Sequence, residues 1–400
     1  MLNFFSGSSK SVNSAKAAAE CIETALADRC LEVTLAIIHV TSGHKISTII
    51  ETLKHACPNA KIVGCSGMGV VEYNFVSEAM RALSIMFVTG DEFDIHSMDG
   101  LTANNSALVA ENCAKTLMER NKNAVQSIML FGPGIDIDAE AAISGIEKVF
   151  GPKIPIGGAT AGFSGTNPET LAIHDERVYT KGLVLIAFTD PSIDMVQRSH
   201  HGNLPQENYR FTVTKSEGVR IDELDGKPAW PTFLKAVGMP PETGPFEAIL
   251  LISFGLDLDV EDADHYDNSQ ILRAAVNLAN DGKSMILATT VPIGSTLVSC
   301  QREEKYLFTG TERLAERLIE GMDNKLPLAV FQTDCAARGR MGHNVVEKNE
   351  IINLMQAPIC QESKVPWIGV YGFGEFGMLN GKNRFHNYTT TLSALVRRDA

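Results

Sequence analysis

The chain reads as an α/β protein of mixed α+β type in two domains, each a mixed sheet covered by helices. Three observations predict this. Short, β-branched-rich apolar runs recur along all 400 residues, separated by segments whose apolar positions follow helical spacing. The first runs fall in the order strand, helix, strand, which is the building unit of a parallel pair. From about 171 to 222 helical signals vanish and turn dipeptides separate the runs, predicting an antiparallel stretch.

The elements follow in order. Residues 1–30 are expected to form an N-terminal helix, since Ser11 to Ala27 is rich in Ala, Glu and Lys. Leu31 to Val40 reads as a buried strand, Ile46 to Ala56 as an amphipathic helix stopped by Pro58, and Lys61 to Cys65 as the next strand. Ala82 to Val88 and Val125 to Phe131 are predicted strands; Asn105 to Arg120 and Ala139 to Phe150 are predicted helices. Ile154 to Ala159 is a short strand entering a small-residue loop, Gly157 to Gly162. Val178 to Phe188, Ser192 to Ser199 and Arg210 to Ile221 read as antiparallel strands. A boundary near Asp225-Gly226-Lys227-Pro228 divides an N-terminal domain, 31–228, from a C-terminal one, 229–400. The second part continues with a helix around Trp230 to Val237 and a strand from Phe246 to Phe254. A hairpin is centred on Asp281-Gly282, followed by a helix from Glu304 to Ile319 and a strand from Leu328 to Gln332. Val345 to Met355 is expected to be helical, Trp367 to Tyr371 a strand, and Tyr388 to Val396 the closing segment. No short-period repeat is visible.

Composition limits the function. A net charge of −13 argues against a broad nucleic-acid or anionic-membrane surface. No apolar run reaches the roughly 20 residues that span a bilayer, and the N-terminus lacks the pattern of a secretory signal. Eight scattered cysteines without a Cys-x-x-Cys pair fit a reducing, cytoplasmic setting.

Several residue groups invite a chemical reading, each beside a plainer one. Gly157-Gly158-Ala159-Thr160-Ala161-Gly162 resembles an anion cradle but matches no nucleotide fingerprint, so a tight turn facing a ligand is favoured. Cys335, near Arg338, Arg340 and His343, could serve a hydrolase or transferase as nucleophile; the plainer reading is a cysteine packed at a strand end. The acidic run from Asp257 to Asp267 lacks calcium-loop spacing and reads as a solvated loop. His39 lies in an apolar strand, where a hydrogen-bonded core histidine is the default; His174 and His265 read as exposed. The densest set is C-terminal: Arg338, Glu350, Glu375 between glycines at an expected bend, then His386, Asn387 and Thr389. A buried Glu375 needs a partner, and Arg338, His386 or a cationic ligand could supply it. The set forms either a ligand pocket or a structural polar knot.

Motifs in order along the chain resemble the FIST (F-box and intracellular signal transduction) sensory domain family. The N-terminal half matches at Pro58 through Val70, at Ile156 through Gly162 and at Ile221 through Ala229. The C-terminal half matches at Val291 through Gly294, Cys335-Ala336-Ala337-Arg338, Glu350, Gly369 through Glu375, and His386-Asn387-Tyr388-Thr389. The resemblance implies a non-catalytic module that binds a small molecule and regulates a partner such as a histidine kinase or a cyclic-dinucleotide signalling protein. It also implies two ligand classes. One is haem sensing nitric oxide, as in a stand-alone subset of similar length, with His386, His39 and His201 as candidate iron ligands. The other is an amino acid, with Glu375 on its ammonium and Arg338 on its carboxylate. The expected pocket comprises Arg338, Glu350, Glu375, His386, Asn387 and Thr389, with Gly157 and Gly158 on the opposite wall. A homo-oligomer is compatible with this reading, and a structural interaction protein is the remaining alternative.

Overall fold

In the computed structural model, which describes residues 1–27, 29, 31–121, 123–165, 168–340 and 350–398, one pattern of elements occurs three times. Each time an edge strand and a helix precede two parallel strands joined across a helical segment. A hairpin and an antiparallel strand follow. The parallel pairs are Leu35–Thr41 with Lys61–Gly67, Ser127–Gly132 with Ile156–Thr160, and Ala329–Cys335 with Trp367–Gly372. Their antiparallel neighbours are Leu83–Thr89, Leu183–Phe188 and Thr389–Arg397. The edge strands are Asn3–Ser9, Phe93–Met98 and Ile193–His201.

The hairpins are exchanged cyclically. Val70–Glu72 with Phe75–Ser77 joins the third sheet, Ala172–His174 with Arg177–Tyr179 joins the first, and Gly374–Leu379 with Lys382–His386 joins the second. Three backbone bonds close the ring: Met68 N donates to Tyr371 O (2.9 Å), Gly162 N to Ser66 O (2.9 Å) and Phe373 N to Thr160 O (3.1 Å). The three sheets enclose a common core that includes Ile37, Met86, Phe131, Val184, Phe331, Val370 and Leu395. Their outer faces bury separate helix-covered cores, under Ser14–Leu26 and Ile46–Ala56, under Ser106–Arg120 and Ala139–Phe150, and under Glu304–Gly321. The strands are thus buried on both faces, which is why Leu35–Thr41 reads as an unbroken apolar run.

A fourth, eight-stranded sheet is inserted into the third unit, between Ile193–His201 and Glu304–Gly321, with its own core around Trp230, Phe233, Phe254 and Leu297. The fold is therefore mixed α/β, and strands from both halves of the chain share two of the sheets.

Several expectations are corrected. Residues 1–30 are not simply a helix, because Asn3–Ser9 is a strand paired with Leu83–Thr89. Its alternating burial, with small Ser and Gly residues, conceals the strand from a propensity reading. The expected strand from Phe246 begins instead as a helical turn, Pro245–Ala248, and the strand is Ile252–Asp257. The acidic run contains a helix, Val260–Tyr266, whose N-cap Asp259 accepts from Asp262 N at 2.8 Å. The strands Thr296–Arg302, Gly374–Leu379 and Lys382–His386 were not anticipated. The first five residues of the helix expected over 345–355 lie outside the described residues; from Glu350 to Gln356 the chain is a π-helix.

Candidate functional site

Parallel pairs place the carboxyl ends of their strands at one end of the molecule, and the third pair delivers Cys335 beside Gly372 there. The 3₁₀ turn Ala336–Arg338 then carries Arg338 inward. Its Nη2 donates to Thr311 Oγ1 (3.3 Å), and its Nε lies 3.5 Å from Asp334 Oδ1. Asp334 is buried and also accepts from Gln332 and Thr390. Burial raises its pKa against the pull of Arg338.

Glu375 is not at a bend. It lies in Gly374–Leu379, directly opposite His386 on one side and Ala159 on the other. Its side chain is fully buried, and Oε2 accepts from Thr389 N at 3.2 Å. Burial, then the nearby Asp334, hold its pKa well above the usual carboxylate range. The proton is therefore held more tightly here than on an exposed carboxyl. The Cys335 thiol adjoins it without making a well-formed bond to Oε1.

Asn387 and Tyr388 do not continue a strand with Thr389; Tyr388 takes φ 61°, turning the chain between the last two strands. The turn lets Asn387 accept from Ala274 N (3.2 Å) and donate to Phe373 O (3.1 Å), tying the inserted sheet to the ring. His386 places Nδ1 3.1 Å from Tyr266 Oη and Nε2 3.4 Å from Gly377 O.

Arg338, Glu375, His386, Asn387 and Thr389 are thus packed into one buried polar cluster. Glu350, half-buried at the start of the π-helix, acts electrostatically on the nearby Arg302 and Tyr371. Among the described residues, Glu375 Oε1, Arg338 Nε and Nη1, and Nε of the adjacent Arg273 are buried and find no hydrogen-bond partner.

The adjoining space is apolar. A cleft of about 150 Å³ lies where the inserted sheet meets the ring. Gly134, Ile135, Phe163 and Phe373 face Phe246, Ile249 and Ala274–Val276 across it, and Cys335–Ala337 complete the lining. None of the eight residues expected to bind the ligand lines this cleft. Gly157 and Gly158 belong to the strand Ile156–Thr160 and form neither a loop nor an anion cradle. A Cβ on Gly158, whose φ is +118°, would come within 2.1 Å of Leu130 O, so close strand packing explains that glycine. Tyr266, Asp334, Phe163 and Phe246 were absent from the expected site. Asp334 was legible beside Cys335, but Tyr266 and Phe246 arrive with the inserted sheet and carry no local signal.

The residues present do not fit haem. His201 is committed to Gln270 O through Nε2 (2.8 Å) and accepts from Asn203 N through Nδ1 (3.2 Å). His386 is held on both ring nitrogens, and His39 lies in the first sheet with Nδ1 3.5 Å from Cys65 Sγ. Burial lowers all three, to about 4, 3 and 3 respectively. Neutral core imidazoles account for them, and none faces the apolar cleft. The nucleophile reading of Cys335 also weakens. Burial, reinforced by Glu375, pushes the thiol far above its usual range, where thiolate is scarce. His343 lies outside the described residues. No group of three or more metal-ligating side chains occurs among the described residues.

The structure is thus an internally repeated α/β ring with an inserted sheet and a cleft at their junction. Family models match as the FIST N domain over residues 34–227 and the FIST C domain over 235–378. The chain belongs to the FIST family of sensory signal-transduction domains. It is similar to an uncharacterized protein of Mycobacterium bovis, 21% identical over 383 residues and covering 91% of this chain and 90% of the other. A second such relative, from Mycobacterium tuberculosis, is 21% identical over 359 residues, covering 87% of each. Cyanuric acid hydrolase from A. caulinodans aligns over 100% of both chains at 6% identity, with a TM-score of 0.39, too distant to carry an argument. No helix among the described residues is long and apolar enough to cross a membrane.

Proposed function

We propose that this protein is a cytoplasmic small-ligand sensor whose ligand seats an apolar group in the cleft between the inserted sheet and the ring, and which regulates a signalling partner such as a histidine kinase. One observation carries the reading. The cleft is walled by hydrocarbon, yet its floor, Cys335–Ala337, backs onto a fully buried carboxyl and a guanidinium, each with polar atoms that no described residue satisfies. Apolar walls with a few convergent polar groups are the usual make-up of a small-molecule site. A cavity near 150 Å³ admits a benzene-sized group. An amino acid with an aliphatic or aromatic side chain carries a group of that size. Asn387 grips both walls, so a guest that wedges them apart would be felt by the inserted sheet. Signalling then requires the guest to favour one arrangement of the two parts over the other.

The experiment is a thermal-shift panel of apolar amino acids and the matching amines and carboxylic acids, with Val276→Phe to fill the cleft. A ligand held at 100 times its Kd stabilises by about 2.7 kcal/mol. A shift in the wild type that Val276→Phe abolishes supports the reading; no shift across the panel, or equal shifts in both proteins, removes it.

A further inference from the structure

A second cluster lies at the opposite end of the parallel strands, where Thr34 and Lys61 open the first pair. There the hairpin Ala172–His174/Arg177–Tyr179, contributed by the second unit to the first sheet, comes against that unit's own edge strand, Phe93–Met98. A groove of about 610 Å³ runs between the two sheet edges. Apart from Phe93 and Ile95 its lining is polar or charged.

Into it the structure brings a hydroxyl, an imidazole and a carboxylate in sequence. Ser97 Oγ lies 2.7 Å from His174 Nδ1 and 3.0 Å from Tyr179 Oη. His174 Nε2 lies 4.0 Å from Asp175 Oδ2. Asp175 is itself kept ionised by Ile62 N (3.0 Å), Lys54 Nζ (3.0 Å) and Lys61 Nζ (3.8 Å). His174, read from the sequence as exposed, retains only 20% of its side-chain surface, yet it lines an open groove. A nucleophile within hydrogen-bond reach of a base, with a third group beside that base, is the arrangement that activates serine irrespective of fold.

We propose that Ser97 is a nucleophile, with His174 as its general base, toward small polar carboxylic esters bound in this groove. The balance is that of acyl transfer. Ser97 Oγ bonds to the ester carbonyl carbon as its proton passes to His174 Nδ1. The carbon–oxygen bond to the alcohol breaks, and the imidazolium returns the proton to the departing alkoxide. Water then attacks the acyl-serine, giving one proton to His174 and releasing the carboxylic acid, and that proton restores the Ser97 hydroxyl. Tyr179 Oη, 3.0 Å from Ser97 Oγ, offers a hydrogen-bond donor beside the reacting centre. Asp175 steadies the imidazolium electrostatically.

This chemistry is independent of the apolar cleft, so the full-length protein tests it whether or not the sensor reading holds. The protein is treated with a fluorophosphonate probe, which labels activated serines, and with p-nitrophenyl acetate, followed by peptide mass mapping. The expected result is stoichiometric modification of Ser97. His174→Gln should slow it about 100-fold or more, the usual contribution of a general base, at an unchanged thermal midpoint. An unmodified Ser97 in the wild type overturns the proposal without any variant. So does a His174→Gln protein that is labelled at the wild-type rate.

Discussion

Replacing Glu375 by Gln should make this protein more stable, and increasingly so as pH rises. The fully buried Glu375 carboxyl has a pKa well above its ordinary 4.5 because burial penalises the charged form. A carboxyl raised in this way binds its proton more tightly in the folded chain than in the unfolded one. Its contribution is therefore complete below 4.5 and is lost as pH rises through the window between 4.5 and the raised value. Each pH unit inside that window removes about 1.36 kcal/mol. A carboxyl held protonated inside that window therefore loses at most about that amount for each unit by which pH rises. Gln has the shape of the neutral acid, can accept from Thr389 N, and does not titrate. The stability difference between Glu375→Gln and the wild type, from urea unfolding at pH 5 and pH 7, should therefore widen in favour of Gln by up to that amount per pH unit. A variant destabilised equally at both pH values would show instead that Glu375 is ionised and paired with Arg338, and the polar half of the proposed site would have to be redrawn.

Three further outcomes follow from the same geometry. His39 is held neutral by burial at about 3, so its contribution is complete above the unfolded value of 6.5 and is lost as pH falls below it. His39→Leu should accordingly remove about 2 kcal/mol of acid sensitivity between pH 6.5 and pH 5, measured by denaturant unfolding. Gly158→Ala places a Cβ 2.1 Å from Leu130 O at φ +118°, combining overlap with backbone strain; a loss of about 3 kcal/mol or more in urea unfolding is expected. Because burial and Glu375 keep the Cys335 thiol protonated, its alkylation by iodoacetamide at pH 8 should be at least about 100-fold slower than in urea, as followed by peptide mass mapping.

The local elements of this chain were legible where the pattern was strong. The spans Ile46–Ala56 and Ala139–Phe150 match the helices read from periodicity, and the parallel pair of Leu35–Thr41 with Lys61–Gly67 followed from strand–helix–strand order. Gly374–Leu379 was hidden because its glycines imitate a bend; Gly374 and Gly377 are tolerated there beside Phe385 and Thr391. The threefold pattern was hidden because each unit exports its hairpin to another sheet, and the third is interrupted by about a hundred residues of inserted sheet. A repeat in topology need leave no repeat in sequence when the equivalent positions require only burial.

The motifs around Cys335, Glu375 and His386 sufficed to place the chain in its family and to identify a polar cluster, because charged residues amid apolar runs must find partners when buried. Their consequences were decided by the tertiary structure. Hydrogen bonds formed over separations of more than a hundred residues, such as Tyr266 to His386 and Asn387 to Ala274, turned the expected pocket lining into a packed floor. The open space fell instead against apolar side chains that the inserted sheet alone could deliver. Which groups face a cavity depends on how distant segments are brought together, and that is a property of the packed molecule rather than of any local stretch of chain.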